Sequence, residues 1–558
     1  MRLEINHETA TGIIVNTATH LRRMARVQPF KRAVVAPSGR DRWGRVAYAH
    51  LTFQQLDRES DFLAYGLEKA GVSRGTRTIL MVKPGLEFFA LTFAIFKTGA
   101  VPVMVDPGMG IRRMVACFKE TRPAAFIGIP AAHVLRTVYP RFFNTVNTWI
   151  TVGRRWFWGG PTLQQIRRER AEPYPIADTR RDETAAILFT TGSTGPAKGV
   201  IYTHGIFAAQ IACIKTQYGI STDEVDLPTF PLFALFDPAL GMTAIIPDMD
   251  PTQPAKVNPE KIIEAVTNHG VTNMFASPAL LNRVGKYGKG KGIRLPSLKR
   301  VISAGAPVHA ANMAQFSALL CGDAEIHSGY GATEAMPVAS IGSKEILSET
   351  GALSEQGDGV CVGYPVSGIT VRIIPTCDGA LNTWSSVDVI KNNAVGEITV
   401  KGDMVTGSYH DRPEADALAK IKDDTRTWHR MGDLGRIDEH GRLWFYGRKN
   451  QRVITAGGTL YTIACEAIFN NHPRVYRSAL VGIGAVPDQK PVICIELHPE
   501  DGGAGKPALT RELLQLAKSS KLTQSINTIL YPDTFPVDIR HNSKIFREKL
   551  AAWAEKQL

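Results

Sequence analysis

The segment Phe189-Thr190-Thr191-Gly192-Ser193-Thr194-Gly195-Pro196-Ala197-Lys198-Gly199-Val200 concentrates four hydroxyl side chains, three glycines and one lysine. An apolar run, Ala185 to Phe189, leads into it and reads as a strand. Glycine lets backbone N–H groups approach an anion closely, because no Cβ stands in the way. The hydroxyls add donors, and Lys198 adds positive charge. This combination suits the oxygens of a polyphosphate. It is not a Walker A loop, which needs Gly-x-x-x-x-Gly-Lys-Ser/Thr; here Gly199 follows the lysine. The stretch Gly502 to Pro507 fails the same test, because Pro507 stands where the hydroxyl is required. A lone run of Thr, Gly and Ser is commonly a polar turn, but the length and order of this one argue for phosphate binding.

Further motifs follow in order: Ser303-Ala304-Gly305-Ala306-Pro307, Tyr330-Gly331-Ala332-Thr333-Glu334, Gly432-Asp433, Gly447-Arg448 and Ser543-Lys544-Ile545-Phe546-Arg547. Taken singly, Tyr330 could be core, Asp433 a turn cap and Lys544 a solvated helix residue. Taken together and in this order, they resemble the adenylate-forming superfamily of acyl-CoA synthetases, peptide-synthetase adenylation domains and luciferases. The resemblance spans nearly the whole chain. It implies ATP and Mg²⁺ as cofactors. It assigns Thr190, Thr191, Gly192, Ser193, Thr194, Gly195 and Lys198 to the phosphates, and Gly305, Ala306 and Pro307 to the adenine side. Tyr330 would stack on adenine beside Gly331, Thr333 would contact phosphate, and Glu334 would help hold Mg²⁺. Asp433 would grip the ribose hydroxyls, Arg448 would reach the nucleotide, and Lys544 would be a mobile catalytic lysine. Physical chemistry agrees with these roles. A carboxylate attacking the α-phosphate builds up negative charge, which Lys544, Lys198 and Mg²⁺ would offset. Thr191 and Glu334 complete the expected catalytic set.

Three stretches are similar to a narrower group, the olefin β-lactone synthetases of bacterial long-chain olefin biosynthesis: Val105 to Gly110, Gly457 to Val481, and Phe535 to Leu550. That resemblance implies adenylation of a long-chain 2-alkyl-3-hydroxy acid. The 3-hydroxyl would then attack its own acyl-adenylate, expel AMP and leave a β-lactone. Departures from the acyl-CoA ligase pattern point the same way. Ala464-Cys465-Glu466-Ala467-Ile468 lacks a proline and a second acid found near the CoA channel of many ligases. Ala234 follows Pro231-Leu232-Phe233 where ligases often carry His. Asn450 stands at the hinge where Asp or Lys is usual, and Ser543 replaces a frequent Gly. A long-chain acyl-CoA ligase is the alternative activity. A silent nucleotide-binding scaffold is the alternative of another class, and the retained Glu334, Asp433, Arg448 and Lys544 argue against it.

Ring closure needs no second-substrate site, since the hydroxyl is already attached to the activated acid. A general base would assist it. His204 and Asp237 are candidates, with a structural or nucleotide-side role favoured for His204. Asp237 lies within Leu227 to Met249, an apolar run suited equally to an alkyl pocket or to core packing.

These residues need a scaffold. Thr78 to Val82, Val101 to Val105, Ala124 to Ile129, Ile187 to Thr191 and Arg300 to Ala304 read as strands, and Leu86 to Lys97 as a helix. Strand then helix, repeated, predicts an α/β fold in which parallel-rich sheets are covered by helices. Leu443 to Tyr446 reads as a further strand. A boundary falls at Asn450, dividing an N-terminal AMP-binding and acyl-substrate domain, 1–449, from a small mobile α+β domain, 450–558, that carries Lys544. The latter ends in a helix from Ser543 to Gln557.

Composition is that of an ordinary globular protein: among 558 residues, 44% are hydrophobic and 21% charged. The net charge of +13 is spread along the chain rather than gathered in a tract, so nucleic acid is not an expected partner. The seven cysteines form no Cys-x-x-Cys pair, which argues against a disulfide framework or zinc site and fits a cytoplasmic location. The most apolar stretch, Leu86 to Val105, is interrupted by Lys97, Gly99 and Pro102, so no transmembrane segment is expected. The narrower resemblance implies assembly with the reductase that makes the hydroxy acid and the decarboxylase that consumes the lactone.

Overall fold

The computed structural model describes residues 14–190, 197–391, 393–424, 426–498, 501, 505–537 and 545–558. Two sheets dominate. The smaller runs in the spatial order Thr148–Thr151, Ala125–Gly128, Arg77–Met81, Val101–Val105, Thr184–Thr190, Lys198–Thr203. Its first five strands are parallel, and only the last pair is antiparallel. The larger sheet has a parallel centre: Glu325–Ala332, Arg300–Ser303, Asn273–Ala276, Val225–Pro228, Thr243–Ile245 and Arg32–Arg40.

Strand–cap–helix sequences build both sheets. Thr203 closes a strand, and its Oγ1 caps the helix His204–Gln217 by accepting from Ile206 N at 3.2 Å. Ser277 caps Pro278–Gly290 in the same way, with proline in the first turn. The helix Leu86–Thr98 is buried from Phe88 to its end, which explains its nearly unbroken apolar sequence. Lys97 is tolerated inside it because its ammonium meets Asp57 Oδ1 at 2.6 Å and Asp61 Oδ1 at 2.7 Å. No helix among the described residues is long and apolar enough to cross a membrane.

The expected parallel-rich sheets are present, and the larger one also carries an antiparallel extension. Beyond Ala332 the larger sheet turns antiparallel through Ala335–Gly342, Val360–Pro365, Leu443–Arg448, Thr427–Ile437, Gly396–Gly402 and Ile369–Ile374. The cause is local: only Thr333 and Glu334 separate Glu325–Ala332 from Ala335–Gly342, and so short a link permits only a hairpin.

After Asn450 the chain forms a hairpin, Val453–Thr455 with Gly458–Leu460, and a three-stranded sheet, Val475–Ile483, Lys490–Leu497 and Thr528–Leu530. Helices Thr462–Asn470, Lys506–Lys518 and Arg547–Glu555 accompany it. The last helix starts later than expected. Ile545 pairs with Val537 in an isolated β-bridge, so it is extended rather than helical; Ser543 and Lys544 lie outside the described residues. Ala464 shares a core cluster with Trp444 and Tyr446, and Asn471 Nδ2 donates to Glu355 O at 2.9 Å. These contacts seat the C-terminal segment on the larger sheet.

Candidate active site

A cavity of about 630 Å³ opens between the two sheets. Lys198 borders it from the smaller sheet; Ala304, Gly305, Tyr330, Gly331, Thr333, Glu334 and Arg448 border it from the larger. Most of the site candidates that lie among the described residues thus meet in one place; Asp433 does not line the cavity but bonds to Tyr330, which does. Ala306 and Pro307 belong to the same turn as Gly305 but do not line the cavity. Thr190 ends the strand Thr184–Thr190, while Thr191, Gly192, Ser193, Thr194, Gly195 and Lys544 lie outside the described residues.

One polar cluster centres on Asp433. Strands Thr427–Ile437 and Leu443–Arg448 place Asp433 directly opposite Arg448. Arg448 Nη1 lies 3.0 Å from Asp433 Oδ1, and the Tyr330 hydroxyl donates to Oδ2 at 2.6 Å. Burial, and then the Asp433 charge, hold the Tyr330 phenol well above its ordinary range, so it stays a donor. Gly447 permits the close approach behind this pair: it has φ +119°, and a Cβ there would stand 2.4 Å from Thr462 Oγ1.

Glu334 has its own support. Its Oε1 accepts from the Tyr409 hydroxyl at 2.7 Å. Lys198 Nζ sits 4.8 Å from the centre of the Tyr409 ring, and Lys420 Nζ 5.5 Å from it. Tyr409 therefore joins the expected phosphate-binding lysine to the expected metal-binding carboxylate. Lys420 is pushed down to about 8, chiefly by burial, with Glu334 opposing. His429, also at the cavity, is kept neutral by burial, with Lys420 adding to the effect.

The segment 405–410 holds this arrangement together. His410 N donates to Gly199 O at 2.7 Å on the phosphate-loop strand. Thr406 N and Oγ1 donate to Glu334 O at 2.8 and 3.1 Å on the other sheet. Tyr202 OH adds a third link, to Thr333 O at 2.6 Å. Sequence reasoning missed Tyr409 and Lys420. A tyrosine in a Gly-Ser-Tyr-His context looks like a surface loop residue, and nothing local reveals its partners.

A single carboxylate fits Mg²⁺. This small hard cation takes one or two carboxylates together with phosphates and water. Among the described residues no cluster of three or more His, Cys, Asp or Glu forms a closed cage. Glu334 lines the cavity within the Lys198–Tyr409 cluster, and it is the residue that would hold a Mg²⁺ brought in with ATP.

The other arm of the cavity is apolar. Phe230, Phe233, Phe236, Leu240 and Met242 line it, and Phe233 stacks on Phe275 with centroids 4.1 Å apart. The run 227–249 thus divides: these residues face the cavity, while Leu227, Ala234, Ala239, Ala244 and Ile245 are core. Asp237 lines this arm; His204 does not. His204 is fully buried, and its Nδ1 accepts from Thr17 N at 3.2 Å. Burial pushes it down to about 4, so it is a neutral structural group. Asp106, from the stretch 105–110, and Asn450 both reach the cavity. Glu466 does not: it is spent on Arg547, 2.6 Å away, and on Leu480 N at 2.8 Å.

Residues 21–410 match the family described as AMP-binding enzyme. The chain belongs to that family. Among AMP-binding enzymes it is 48% identical to the olefin β-lactone synthetase of Stenotrophomonas maltophilia, over 97% of this chain and 98% of that protein. It is 46% identical to the olefin β-lactone synthetase of Xanthomonas campestris, over 98% of each. Its fold is that of the O-succinylbenzoate coenzyme A synthetase from Bacillus subtilis solved with ATP and magnesium ion (TM-score 0.73, 20% identity, 95% of this chain and 98% of that one). The protein is therefore an adenylate-forming, ligase-type enzyme of the AMP-binding family.

Proposed function

We propose that the enzyme adenylates a long-chain 2-alkyl-3-hydroxy acid with ATP and Mg²⁺ and closes the acyl-adenylate into a β-lactone, releasing AMP and diphosphate. The observation that carries this reading is identity near one half, over almost the entire chain, with two olefin β-lactone synthetases. The cavity supports it, since one arm gathers charged groups for a nucleotide and the other is walled by aromatic and aliphatic side chains.

In this reading Lys198 and the loop 190–195 hold the phosphates, Tyr330 and Gly305 border the adenine, and Asp433 takes the ribose with Arg448 beside it. Bound Mg²⁺ would be held by Glu334 and would supply charge neutralisation at the phosphates. Residues 450–558 form a unit that turns about Asn450 and brings Lys544 to the α-phosphate. With no thiol to admit, a second posture of that unit matters less, and Asn450→Pro is expected to impair CoA-dependent relatives more than this enzyme. The reaction belongs in the cytoplasm, between a reductase that supplies the hydroxy acid and a decarboxylase that removes the lactone.

Pure protein, ATP, Mg²⁺ and a 2-alkyl-3-hydroxy acid, without CoA, test the reading. The expected product is a β-lactone identified by mass spectrometry. A product that forms only after CoA is added would establish an acyl-CoA ligase instead. Lys544→Ala is expected to cut pyrophosphate release at least 100-fold, on the order of what charge stabilisation at a transition state contributes. Equal near-zero rates in both proteins would mark a silent nucleotide binder.

A further inference from the structure

Resting on that reading, we propose that Asp237, backed by Asp226, is the subsite that binds the substrate's alcohol group and accepts its proton during ring closure. Asp226 lies on the strand Val225–Pro228 and Asp237 on the short helix Phe236–Leu240. They are 2% and 3% exposed, and both line the cavity. Their carboxyls lie within hydrogen-bonding reach of each other. Among the described residues neither forms an ion pair with a cation, and Asp237 Oδ2 meets no hydrogen-bond donor.

The surroundings fix the roles of the two. Arg300 Nη1 reaches Glu224 Oε2 at 2.7 Å and donates to Asn273 Oδ1 at 3.3 Å. With its oxygen occupied, the Asn273 amide presents Nδ2 to Asp226 Oδ1. Asp226 is thereby the acceptor of the pair. Lys31, which lies against Glu224, spends its ammonium on the carbonyls of Thr222, Glu224 and Gly241. From the helix His204–Gln217 side, the Tyr218 hydroxyl turns to Ser340 Oγ at 3.3 Å. Two touching carboxyls in such a place cannot both ionise. Burial and then its neighbour hold Asp237 well above the carboxylate range, and burial pushes Asp226 up to about 7. Near neutrality the pair therefore shares one proton. Asp237 Oδ2 is buried and meets no donor, which suits it to the contact with Asp226, while the side chain borders the cavity amid Phe230, Phe233, Phe236 and Leu240, where its other oxygen would meet a substrate hydroxyl.

The proton balance closes. As the alcohol oxygen bonds to the acyl carbon, the bond from that carbon to the phosphate oxygen breaks, and AMP departs with the electron pair. The alcohol proton passes to Asp237, and the shared proton moves onto Asp226. The pair goes from one negative charge to none, and the departing AMP gains that charge. A simple acyl-CoA ligase has no use for this group.

The test uses the full chain with ATP, Mg²⁺ and either a 2-alkyl-3-hydroxy acid or its 3-deoxy counterpart, following pyrophosphate and lactone separately. In a single turnover with enzyme in excess, the rate of lactone formation relative to the rate of pyrophosphate release is expected to fall about 100-fold or more in Asp237→Asn, the usual contribution of a general base, with acyl-adenylate accumulating on the enzyme. In the wild type that ratio is expected to rise with pH through about 7, and Asp226→Asn is expected to lose the rise. Lactone and pyrophosphate falling together, or an unchanged ratio, would overturn the inference while leaving the lactone reading intact. A wild type that makes no lactone overturns both. Should circular dichroism show either variant unfolded, the wild type alone decides: a KM for adenylation about tenfold lower for the hydroxy than the deoxy acid is expected, and equal values refute the subsite.

Discussion

The Tyr330 hydroxyl donates to Asp433 Oδ2 at 2.6 Å, across a strand separation of 103 residues in sequence. Arg448 faces the other carboxylate oxygen, so Asp433 is already oriented by two partners. Asp433→Asn weakens both contacts. Hydrogen bonds to a charged group are worth about 1.5–3 kcal/mol, so KM for ATP is expected to rise about tenfold or more, with a smaller change in kcat. Tyr330→Phe keeps the ring and loses one donor, and its rise in KM should be smaller. Steady-state kinetics with varied ATP checks both.

Tyr409 couples a cation to a carboxylate. Tyr409→Phe leaves a ring under Lys198 but removes the donor to Glu334. The Mg²⁺ concentration giving half-maximal pyrophosphate release is expected to shift severalfold, with Lys198-dependent ATP binding little altered. Tyr409→Leu removes the ring as well and is expected to raise KM for ATP in addition. Magnesium titrations at fixed ATP separate the two effects.

Arg547 packs its guanidinium on Glu466 and reaches Gln451 Oε1 at 3.2 Å. Both members of the ion pair are largely buried. Glu466→Ala strands the arginine charge and leaves Leu480 N without its acceptor, a loss on the order of 3–5 kcal/mol for such a pair. Thermal melting is expected to show a clear drop, together with loss of adenylation, because the same arginine ties the segment after Lys544 to the residue after Asn450. Glu466→Gln, which keeps an acceptor, should recover part of the stability.

Two buried groups set opposite pH limits. His204 has a folded value of about 4, below its ordinary 6.5. Its contribution is whole above 6.5 and is lost as pH falls toward 4, where the unfolded chain takes up a proton that the folded one refuses. Asp226 has a folded value of about 7, above its ordinary 3.8. Its contribution is whole below 3.8 and is lost as pH rises through 7, where the unfolded chain gives up a proton that the folded one retains. Melting curves of Asp226→Asn should therefore gain on the wild type as pH goes from 5 to 8, and a constant difference would contradict the assignment.

The residues that gather at the cavity sit in compact, ordered motifs: Tyr330, Glu334 and Arg448 on its wall, and Asp433 bonded to two of them, were legible as a group from these motifs. The parallel strands were legible too, because each is a short apolar run followed by a cap and a helix. What the sequence hides is pairing over distance. Asp226 lies in an unremarkable strand and gains its meaning only when Asp237 folds against it. Tyr409 and Lys420 come from a polar connection whose partners lie on two sheets. The antiparallel half of the large sheet was not legible: nothing in the strand composition announces direction, and the short Thr333–Glu334 link sets it only for the pair it joins.

The hydrogen bonds from residues 405–410 to Gly199 and Glu334 act as a brace between the two walls of the cavity. The edge bearing Lys198 and the hairpin bearing Glu334 keep their spacing before any ligand arrives. ATP binding energy is then not consumed in drawing these two walls together. Under the proposed turn about Asn450, the conformational work of a catalytic cycle falls instead on the segment that begins there, so this enzyme is expected to bind nucleotide to a rigid half and to gate its chemistry with the other.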